Sequence, residues 1–196
     1  MSGRLVALCL VLGMFGAVGA FPAEAHVFGA GGAGFFQGLG HPLSGIDHVL
    51  TMVAVGVWAA LIGRSAWWML PVAFPIAMIG GGLLGGLGVA LPGVETAIAL
   101  SVLALGLLIG FAFRPALAIG IALVAVFGIF HGHAHGAELP DAASPLFYGL
   151  GFVLATAALH VAGLGLASLA TRHRVQFVMR AAGAAISVAG VVLLIA

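Results

Sequence analysis

The sequence predicts an all-α membrane protein: a polytopic bundle of six transmembrane helices that follows a cleavable signal peptide. Hydrophobic residues make up 63% of the 196-residue chain, charged residues make up 6%, and the mean hydropathy is +1.30. A soluble domain is about half apolar and about a quarter charged, so this chain has too few charges to build a water-facing surface. Backbone polar groups in lipid must be satisfied internally, and because the sequence lacks the alternation of barrel strands, helices are the expected elements.

The first 25 residues have the pattern of a secretory signal peptide. Arg4 supplies the positive region, residues 5–20 form a short apolar run, and Ala23-Glu24-Ala25 matches an A-x-A cleavage site. The other interpretation of residues 1–25 is an uncleaved seventh helix, which the shortness of the apolar run disfavours. We therefore expect a signal peptide, followed by a single transmembrane domain over residues 26–196.

Cleavage at this point would change which metal ligands the mature chain carries. It would remove Cys9, the sole cysteine of the sequence, and with it any thiolate ligand. It would also leave His26 at the new N-terminus, where an α-amine and an imidazole can chelate a metal ion together. The alternative is that His26 merely follows the cut and has no such role.

Six apolar runs of about twenty residues, the length needed to cross the hydrocarbon core of a bilayer, follow the signal peptide. The breaks between them are short and are polar or contain proline, so we expect consecutive helices to pack antiparallel in one bundle. The sequence shows no linker or soluble domain between them. The predicted spans are 43–63, 67–91, 94–113, 115–134, 145–170 and 177–196.

The charged residues assign an orientation to this bundle. A cleaved signal peptide places the mature N-terminus outside, and the loops with Arg64, Arg114 and a third group of arginines then lie in the cytoplasm, as the positive-inside rule requires. The same orientation puts Glu95 and Glu138 outside. The net charge of +1 gives no electrostatic reason to expect a nucleic-acid partner, whereas the apolar spans require a lipid bilayer.

The first polar motif, HPLSGIDH, begins at His41 and opens the first span. Proline suits the first turn of a helix, so the span is expected to start at the proline of this motif and to carry Asp47 and His48 into the membrane. An aspartate there costs about 2.5–3.5 kcal/mol on insertion scales, which marks it as a functional candidate. The alternative is a structural Asp47 that bonds Ser44 or Thr51.

Helix geometry limits which ligands of this motif can share an ion. In a continuous helix His41 and His48 lie on one face but about 10 Å apart along the axis, so one ion cannot contact both unless the helix breaks at Gly40–Pro42. Asp47 and His48 can flank one ion held between helices. His41 is therefore expected at the mouth of the pathway, and Met52, one turn beyond His48, is a further candidate.

The second polar motif, FHGHAHGAE over residues 130–138, lies at the outer end of the fourth span. His131 and His135 are four residues apart, the helical spacing that lets two imidazoles meet one metal ion. Glu138 continues the same face if the helix persists that far, whereas His133 points elsewhere. The alternative is an exposed polar loop.

Two further polar residues lie at different depths. Glu95 begins the third span on the outer side, where it lines an outer vestibule or simply faces water. His160 lies about 20 Å from the outer end of the fifth span, deeper than the histidines of the two motifs. It is either a relay for the ion or a structural residue bonded to Thr156. Together with the motifs, these residues predict a capture site at the mouth of the bundle and a relay further in.

The types of ligand restrict the chemistry. Imidazole and carboxylate groups without thiolate suit Ni(II), Co(II), Zn(II) or Cu(II), whereas calcium and magnesium prefer more oxygen ligands. Three methionines in the spans would make a poor site for Cu(I), which prefers sulfur. The sequence has no nucleotide-binding motif, no helical H-E-x-x-H and no evident nucleophile, so neither ATP-driven transport nor an enzyme is predicted.

The two motifs and three smaller features carry a resemblance to a known family. The stretch HPLSGIDHVLTMVAVGVWAA resembles the H-P-x-x-G-x-D-H-x-x-x-M-x-x-V-G hallmark of the HupE/UreJ family, and FHGHAHGAE is similar to its second histidine motif. The Pro-Gly-Val-Glu95 start of the third span, the Leu-His160-x-x-Gly element and a signal peptide ending before His26 also fit. The resemblance therefore covers essentially the whole chain.

The resemblance implies a permease of the bacterial inner membrane that moves nickel, or cobalt, from the periplasm to the cytoplasm for hydrogenase or urease maturation. The ion, with zinc as a further candidate, would be cargo rather than a permanently bound cofactor, and nickel-enzyme maturation proteins would be potential partners. A metal-binding accessory or storage protein and an intramembrane metalloenzyme stay open, as does the oligomeric state. On the matching positions, the metal-pathway residues are His41, Asp47, His48, His131 and His135, with His26, Met52, Glu95, His133, Glu138 and His160 as further candidates.

Overall fold

The structure, a computed structural model, describes residues 29–139, 144–169 and 173–196, and the regular elements in them are all α-helices. The all-α prediction is confirmed for this part of the chain. The predicted signal peptide and His26 lie outside the described residues. The seven helices of these ranges are α1 (Gly29–Ser44), α2 (Ile46–Ile62), α3 (Ala66–Gly86), α4 (Val94–Gly110), α5 (Leu117–Ala137), α6 (Pro145–Leu169) and α7 (His173–Ile195).

Four of these helices are long and apolar enough to cross a membrane, namely α3, α5, α6 and the part of α7 from Phe177 to Ile195. The pair α1–α2 makes a fifth such segment if its two bent helices form one span, and α4, with 17 residues, is apolar but shorter. These helices indicate a multi-pass membrane protein. The count of six spans stays a prediction, although each predicted span coincides with a helix of the described residues.

The first predicted span is not a continuous helix that starts at Pro42. Pro42 lies inside α1, and the chain breaks at Gly45, whose backbone is extended (φ −103°, ψ 124°). The axes of α1 and α2 differ by 83°. Two causes act here. Glycine is a poor helix former, and Ser44 Oγ donates to the His41 carbonyl oxygen at 2.6 Å, which competes with the backbone bond that would continue the helix.

Helices α3 and α5 form the most extensive contact of the bundle. Gly132 and Gly136 of α5 lie directly on the carbonyl oxygens of Met78 and Gly82 of α3, so a Cβ at either glycine would overlap the backbone of α3. Small residues at such positions let helices approach closely, which is how apolar helices associate in lipid. The contact holds the histidine-bearing end of α5 in place beside α3.

The buried core lies where α2, α3, α4, α5 and α6 meet. Trp58 of α2 and both Leu70 and Phe74 of α3 are fully buried there. Trp58 Nε1 donates to the Phe113 carbonyl oxygen at 3.0 Å, so the connection between α4 and α5 satisfies the indole N–H. The histidines of both motifs gather at one end of this core, where α2 begins and α5 ends.

Candidate metal centre

The bend at Gly45 brings the two polar motifs together. His41 lies near the end of α1 and His48 near the start of α2, and both approach the last turns of α5, which carry His131 and His135. The ring centroid of His135 lies 4.7 Å from that of His41 and 4.5 Å from that of His48. The rings of His48 and His131 are 5.1 Å apart. We call these four residues the histidine cluster, and His135 is at its centre.

His41 lies closer to the other ligands than the helical spacing of the sequence predicts. That spacing applies to an unbroken helix, and the exception that the sequence suggested was a break at Gly40–Pro42, whereas the observed break is at Gly45. His41 Nε2 lies 3.6 Å from Glu138 Oε2, and ligand atoms of His41, His135 and Glu138 all lie within 4.8 Å of one another. His41 is thus a member of the cluster and is not confined to the mouth of the pathway.

Asp47 fixes the ring orientation of His48. Asp47 Oδ1 lies 2.8 Å from His48 Nδ1 and also accepts the His48 backbone N–H at 2.8 Å. An ionised carboxylate only accepts, so Nδ1 carries the hydrogen and Nε2 has the lone pair. His48 Nε2 is buried, with no hydrogen-bond partner in the described part of the chain. A carboxylate behind a histidine is the usual arrangement in metal sites, where it orients the ring and makes it a better ligand.

The hydroxyl groups that would give Asp47 a purely structural role are engaged elsewhere. Ser44 Oγ bonds back to a carbonyl oxygen of α1, and Thr51 Oγ1 lies 3.1 Å from Ser101 Oγ of α4. The bond to Ser44 or Thr51 that the sequence left open is therefore not formed. The side chain of Asp47 serves His48 instead.

Gly45 leaves the space that the Asp47–His48 pair occupies. A Cβ at this position would come 2.6 Å from Asp47 Oδ1 and 2.9 Å from His48 Nδ1. The glycine thus has two effects, because it ends α1 and also admits the carboxylate and the imidazole beside its own backbone. Any larger residue would have to displace one of them.

The two cluster residues of α5 also have unpaired ring nitrogens. His131 is fully buried, and its Nδ1 donates to the Phe127 carbonyl oxygen at 2.9 Å, which leaves the lone pair on Nε2. His131 Nε2 and both ring nitrogens of His135 lack a hydrogen-bond partner among the residues that the structure describes. An unsatisfied buried polar group costs about 1–3 kcal/mol. Several of them at one place call for a ligand.

Aromatic side chains that the sequence analysis did not single out enclose the cluster. The ring of Phe152 lies 4.1 Å from that of His135, with Tyr148 stacked at 6.3 Å from Phe152. Phe74 lies 5.4 Å from His131. In apolar spans such residues look like ordinary core residues, and only Tyr148, the sole tyrosine of the chain, stands out in the sequence. They exclude water, which strengthens the attraction between an ion and its ligands.

His133 does not join the cluster. Its Nε2 lies 2.7 Å from the Val89 carbonyl oxygen, so the side chain ties α5 to the connection between α3 and α4. Its Nδ1 is buried without a hydrogen-bond partner among the described residues. That the side chain points away from the ligands His131 and His135 stays a prediction, and the bond to Val89 favours a structural role for His133.

Glu95 lies outside the histidine cluster but close to Asp47. Both residues line a cavity of about 140 Å³ between α2, α4 and α7, together with Thr96 and apolar side chains. Asp47 is thus shared between this cavity and the histidine cluster. Of the two interpretations that the sequence left for Glu95, an outer vestibule or a side chain that simply faces water, this cavity favours the first.

The two remaining candidates lie deeper in the bundle. Met52 is fully buried in the apolar core. His160 is also fully buried, and its ring lies 5.3 Å from Phe74. Thr156, the suggested partner of His160, contacts Met78 Sδ at 4.0 Å instead. The Phe74 ring therefore contacts His160 as well as His131 of the cluster.

The cluster offers imidazole nitrogens from three helices and one carboxylate at its exposed edge. This donor set fits a divalent transition-metal ion such as Ni(II), Co(II) or Zn(II) better than it fits calcium or magnesium. Asp47 and the Phe127 carbonyl hold two of the rings in the tautomer that binds a metal through Nε2. The arrangement can therefore take an ion from water and hold it in a partly dehydrated state.

Known proteins resemble this chain over most of its length. The sequence model of the family described as HupE / UreJ protein matches residues 12–193. Protein HupE of Rhizobium leguminosarum bv. viciae is 50% identical over 173 residues, which cover 88% of this chain and 90% of that protein. No solved structure gives a significant match to the chain.

Proposed function

This chain belongs to the HupE/UreJ family, and from that premise we propose that it is a permease that carries a divalent transition-metal ion across the bacterial inner membrane into the cytoplasm. The proposed cargo is Ni(II), and Co(II) and Zn(II) compete for the same types of ligand. Nickel, and its delivery to hydrogenase or urease maturation proteins, are inferred from the family resemblance, because the ligand chemistry fits all three ions.

The observation that carries this proposal is the convergence of unpaired imidazole nitrogens. His48 Nε2, His131 Nε2 and both ring nitrogens of His135 are buried without a partner in the described residues. Ordered water or a metal ion would satisfy them, and the tautomers held at His48 and His131 present the Nε2 lone pairs that a metal ion needs. A site held in this way favours an ion that prefers nitrogen ligands.

Glu138 and His41 are more exposed than His48, His131 and the buried His135, which suits uptake from one side. The side chain of Glu138 is 60% exposed and that of His41 33%, whereas that of His48 is 12% exposed and His131 is fully buried. A hydrated ion would meet Glu138 and His41 first and would lose water as it moves toward His48 and His131. The cluster thus supports stepwise exchange of water for imidazole.

His135 links the exposed and the buried part of the cluster. Its ring lies within 5 Å of both His41 and His48, and neither of its nitrogens is bound in the described structure. An imidazole has two nitrogens on opposite sides of the ring, so His135 can serve an ion on either side. We assign it the transfer of the ion from His41 to His48.

The proposed transport needs no nucleotide. The membrane potential favours inward movement of a divalent ion by about 4–5 kcal/mol per 100 mV. That free energy is available to a permease whose outer end binds the ion and whose inner end releases it. The absence of nucleotide-binding motifs from the sequence agrees with a secondary mechanism.

A metal-binding accessory or storage protein is the second candidate, and one observation favours it. Phe74, Leu70 and Trp58 are all fully buried between the histidine cluster and the opposite end of the bundle. An ion in the cluster would therefore be retained unless these side chains move. The two candidates predict the same binding but different flux.

Purified full-length protein in liposomes distinguishes these functions. We expect Ni(II) to accumulate inside the vesicles, and Co(II) and Zn(II) to compete with it to different extents. His135→Ala should reduce uptake to that of protein-free vesicles, because it removes the central ligand. His133→Asn is the matched control and should keep uptake. Tight Ni(II) binding without flux would reject the permease in favour of storage.

A further inference from the structure

His160 is not a member of the histidine cluster. It is fully buried in α6, and neither ring nitrogen makes a hydrogen bond of ordinary geometry within the described residues. A buried imidazole without a firm partner is costly in an apolar interior. Its position therefore needs a reason.

The Phe74 ring contacts both His160 and the histidine cluster. Its centroid lies 5.4 Å from that of His131 and 5.3 Å from that of His160, to whose ring it is perpendicular. Phe74 itself is fully buried. We infer that His160 is a second, inner binding station for the transported ion, and that the Phe74 ring is the barrier between the two stations. This inference depends on the proposed function.

The surroundings of His160 supply further donor atoms. Thr156 and His160 lie one turn apart on α6, and Met78 and Phe74 lie one turn apart on α3, so these two helix faces oppose each other. Thr156 Oγ1 contacts Met78 Sδ at 4.0 Å, and both residues are buried. The inner station thus combines an imidazole with a thioether and a hydroxyl. These donors suit a dehydrated transition-metal ion better than a hydrated one.

A proline pair in α3 leaves a backbone carbonyl without its helical bond. Pro75 has no N–H, so the Pro71 carbonyl oxygen is free of the bond that it would otherwise accept. Neither ring nitrogen of the fully buried His160 has a hydrogen-bond partner among the described residues. A purely structural His160 would be expected to use at least one of these two nitrogens.

The flux experiment separates an ion ligand from a structural residue. His160→Asn keeps a polar side chain with an N–H but removes the imidazole. We expect Ni(II) flux into liposomes to fall by about 10–100-fold, the range seen when metal sites lose a supporting group. Ni(II) binding measured by equilibrium dialysis should stay close to that of the unaltered chain, because the outer cluster is intact. His160→Gln serves as a second variant of the same design.

Flux by His160→Asn or His160→Gln equal to that of the unaltered chain would overturn the inner station. Lost flux together with lost equilibrium binding would do the same, because it would mean that the whole site had been disturbed. If the unaltered chain itself shows no Ni(II) flux, the proposed permease function is rejected. The role of Phe74 as a barrier is then tested by a thiol-labelling measurement that does not depend on transport.

The barrier can be tested without transport. In a full-length Cys9→Ser chain, His160→Cys introduces a single thiol, whose reaction with a small methanethiosulfonate reagent added from the outer side is timed. Phe74→Ala in the same chain should accelerate the reaction by at least about tenfold, since it removes a buried ring that excludes water and solutes. Leu105→Ala, which truncates a fully buried residue of α4, is the control for general loosening. If the thiol reacts at the same rate with and without Phe74→Ala, or if Leu105→Ala accelerates the reaction equally, Phe74 is not the barrier.

Discussion

His48 donates its Nδ1 hydrogen to Asp47 Oδ1 across 2.8 Å, although the two residues are neighbours in the chain. Adjacent residues of a regular helix point about 100° apart, so this bond forms at the first turn of α2, immediately after the break at Gly45. It leaves His48 Nε2 as a bare lone pair that faces a buried space. Two consecutive residues, Asp47 and His48, therefore prepare this ligand for an ion.

Asp47→Asn should weaken metal binding without unfolding the chain. An amide is neutral and can offer either an acceptor or a donor to His48, so the binding tautomer is no longer favoured. We expect the affinity for Ni(II), measured by calorimetry on the purified chain, to fall by about 10–100-fold. The thermal unfolding temperature should change little, because Asp47 is partly exposed. Unchanged affinity in this variant would remove Asp47 from the site.

Gly45→Ala should damage the site more than the fold. The backbone of Gly45 lies in a region open to alanine, but the new Cβ would collide with Asp47 Oδ1 and His48 Nδ1. We expect Ni(II) affinity to fall by about tenfold as the pair is displaced, whereas stability should change by less than about 1 kcal/mol. Gly40→Ala is the control, since its Cβ would have no described atom within 4 Å. If both variants bind alike, the space at Gly45 has no functional meaning.

Gly132→Ala should destabilise the contact between α3 and α5. Its Cβ would overlap the backbone of Met78, which cannot move aside as a flexible side chain would. Overpacking of this kind costs about 1–3 kcal/mol or more. Thermal unfolding in detergent should show the loss, and Gly80→Ala should not, because the space around Gly80 is open within the described structure. Equal unfolding temperatures would mean that the two helices separate easily.

His135→Ala and His133→Ala should have very different effects on Ni(II) binding, although only one residue separates them in the chain. His135 contacts two other cluster histidines, so its loss should abolish saturable Ni(II) binding in equilibrium dialysis. His133 bonds the Val89 carbonyl oxygen, so its loss should leave binding intact and lower stability by about 0.5–1.5 kcal/mol. Similar binding losses in both variants would contradict the assignment of the cluster.

The helices themselves follow from composition and spacing. Runs such as 117–137 are apolar over the length of a span, and short polar or proline-containing breaks divide them. The spacing of His131 and His135 likewise predicts a shared face, because four residues make just over one helical turn. Both features depend only on residues that are close together in the chain. The structure places them where the sequence indicates.

The shape of the site depends on contacts that spacing does not encode. A single glycine in HPLSGIDH does not reveal that the chain bends by 83° at Gly45. The predicted separation of His41 and His48 applies to a continuous helix, and the chain does not form one there. Phe74 and Phe152 enclose the histidines only because α3 and α6 pack on α5. Nothing in the chain around either phenylalanine distinguishes it from a core residue. Tertiary packing decides both points.

The bend at Gly45 also gives the site a mechanical property. His41 lies four residues before Gly45, so its lever arm along α1 is about 6 Å. A pivot of roughly 20° about Gly45 would displace His41 by about 2 Å, which is as long as a metal–nitrogen bond. His48, on the other side of the pivot, would hardly move. One small rotation can therefore detach the outermost imidazole from an ion while the inner ligands keep their hold.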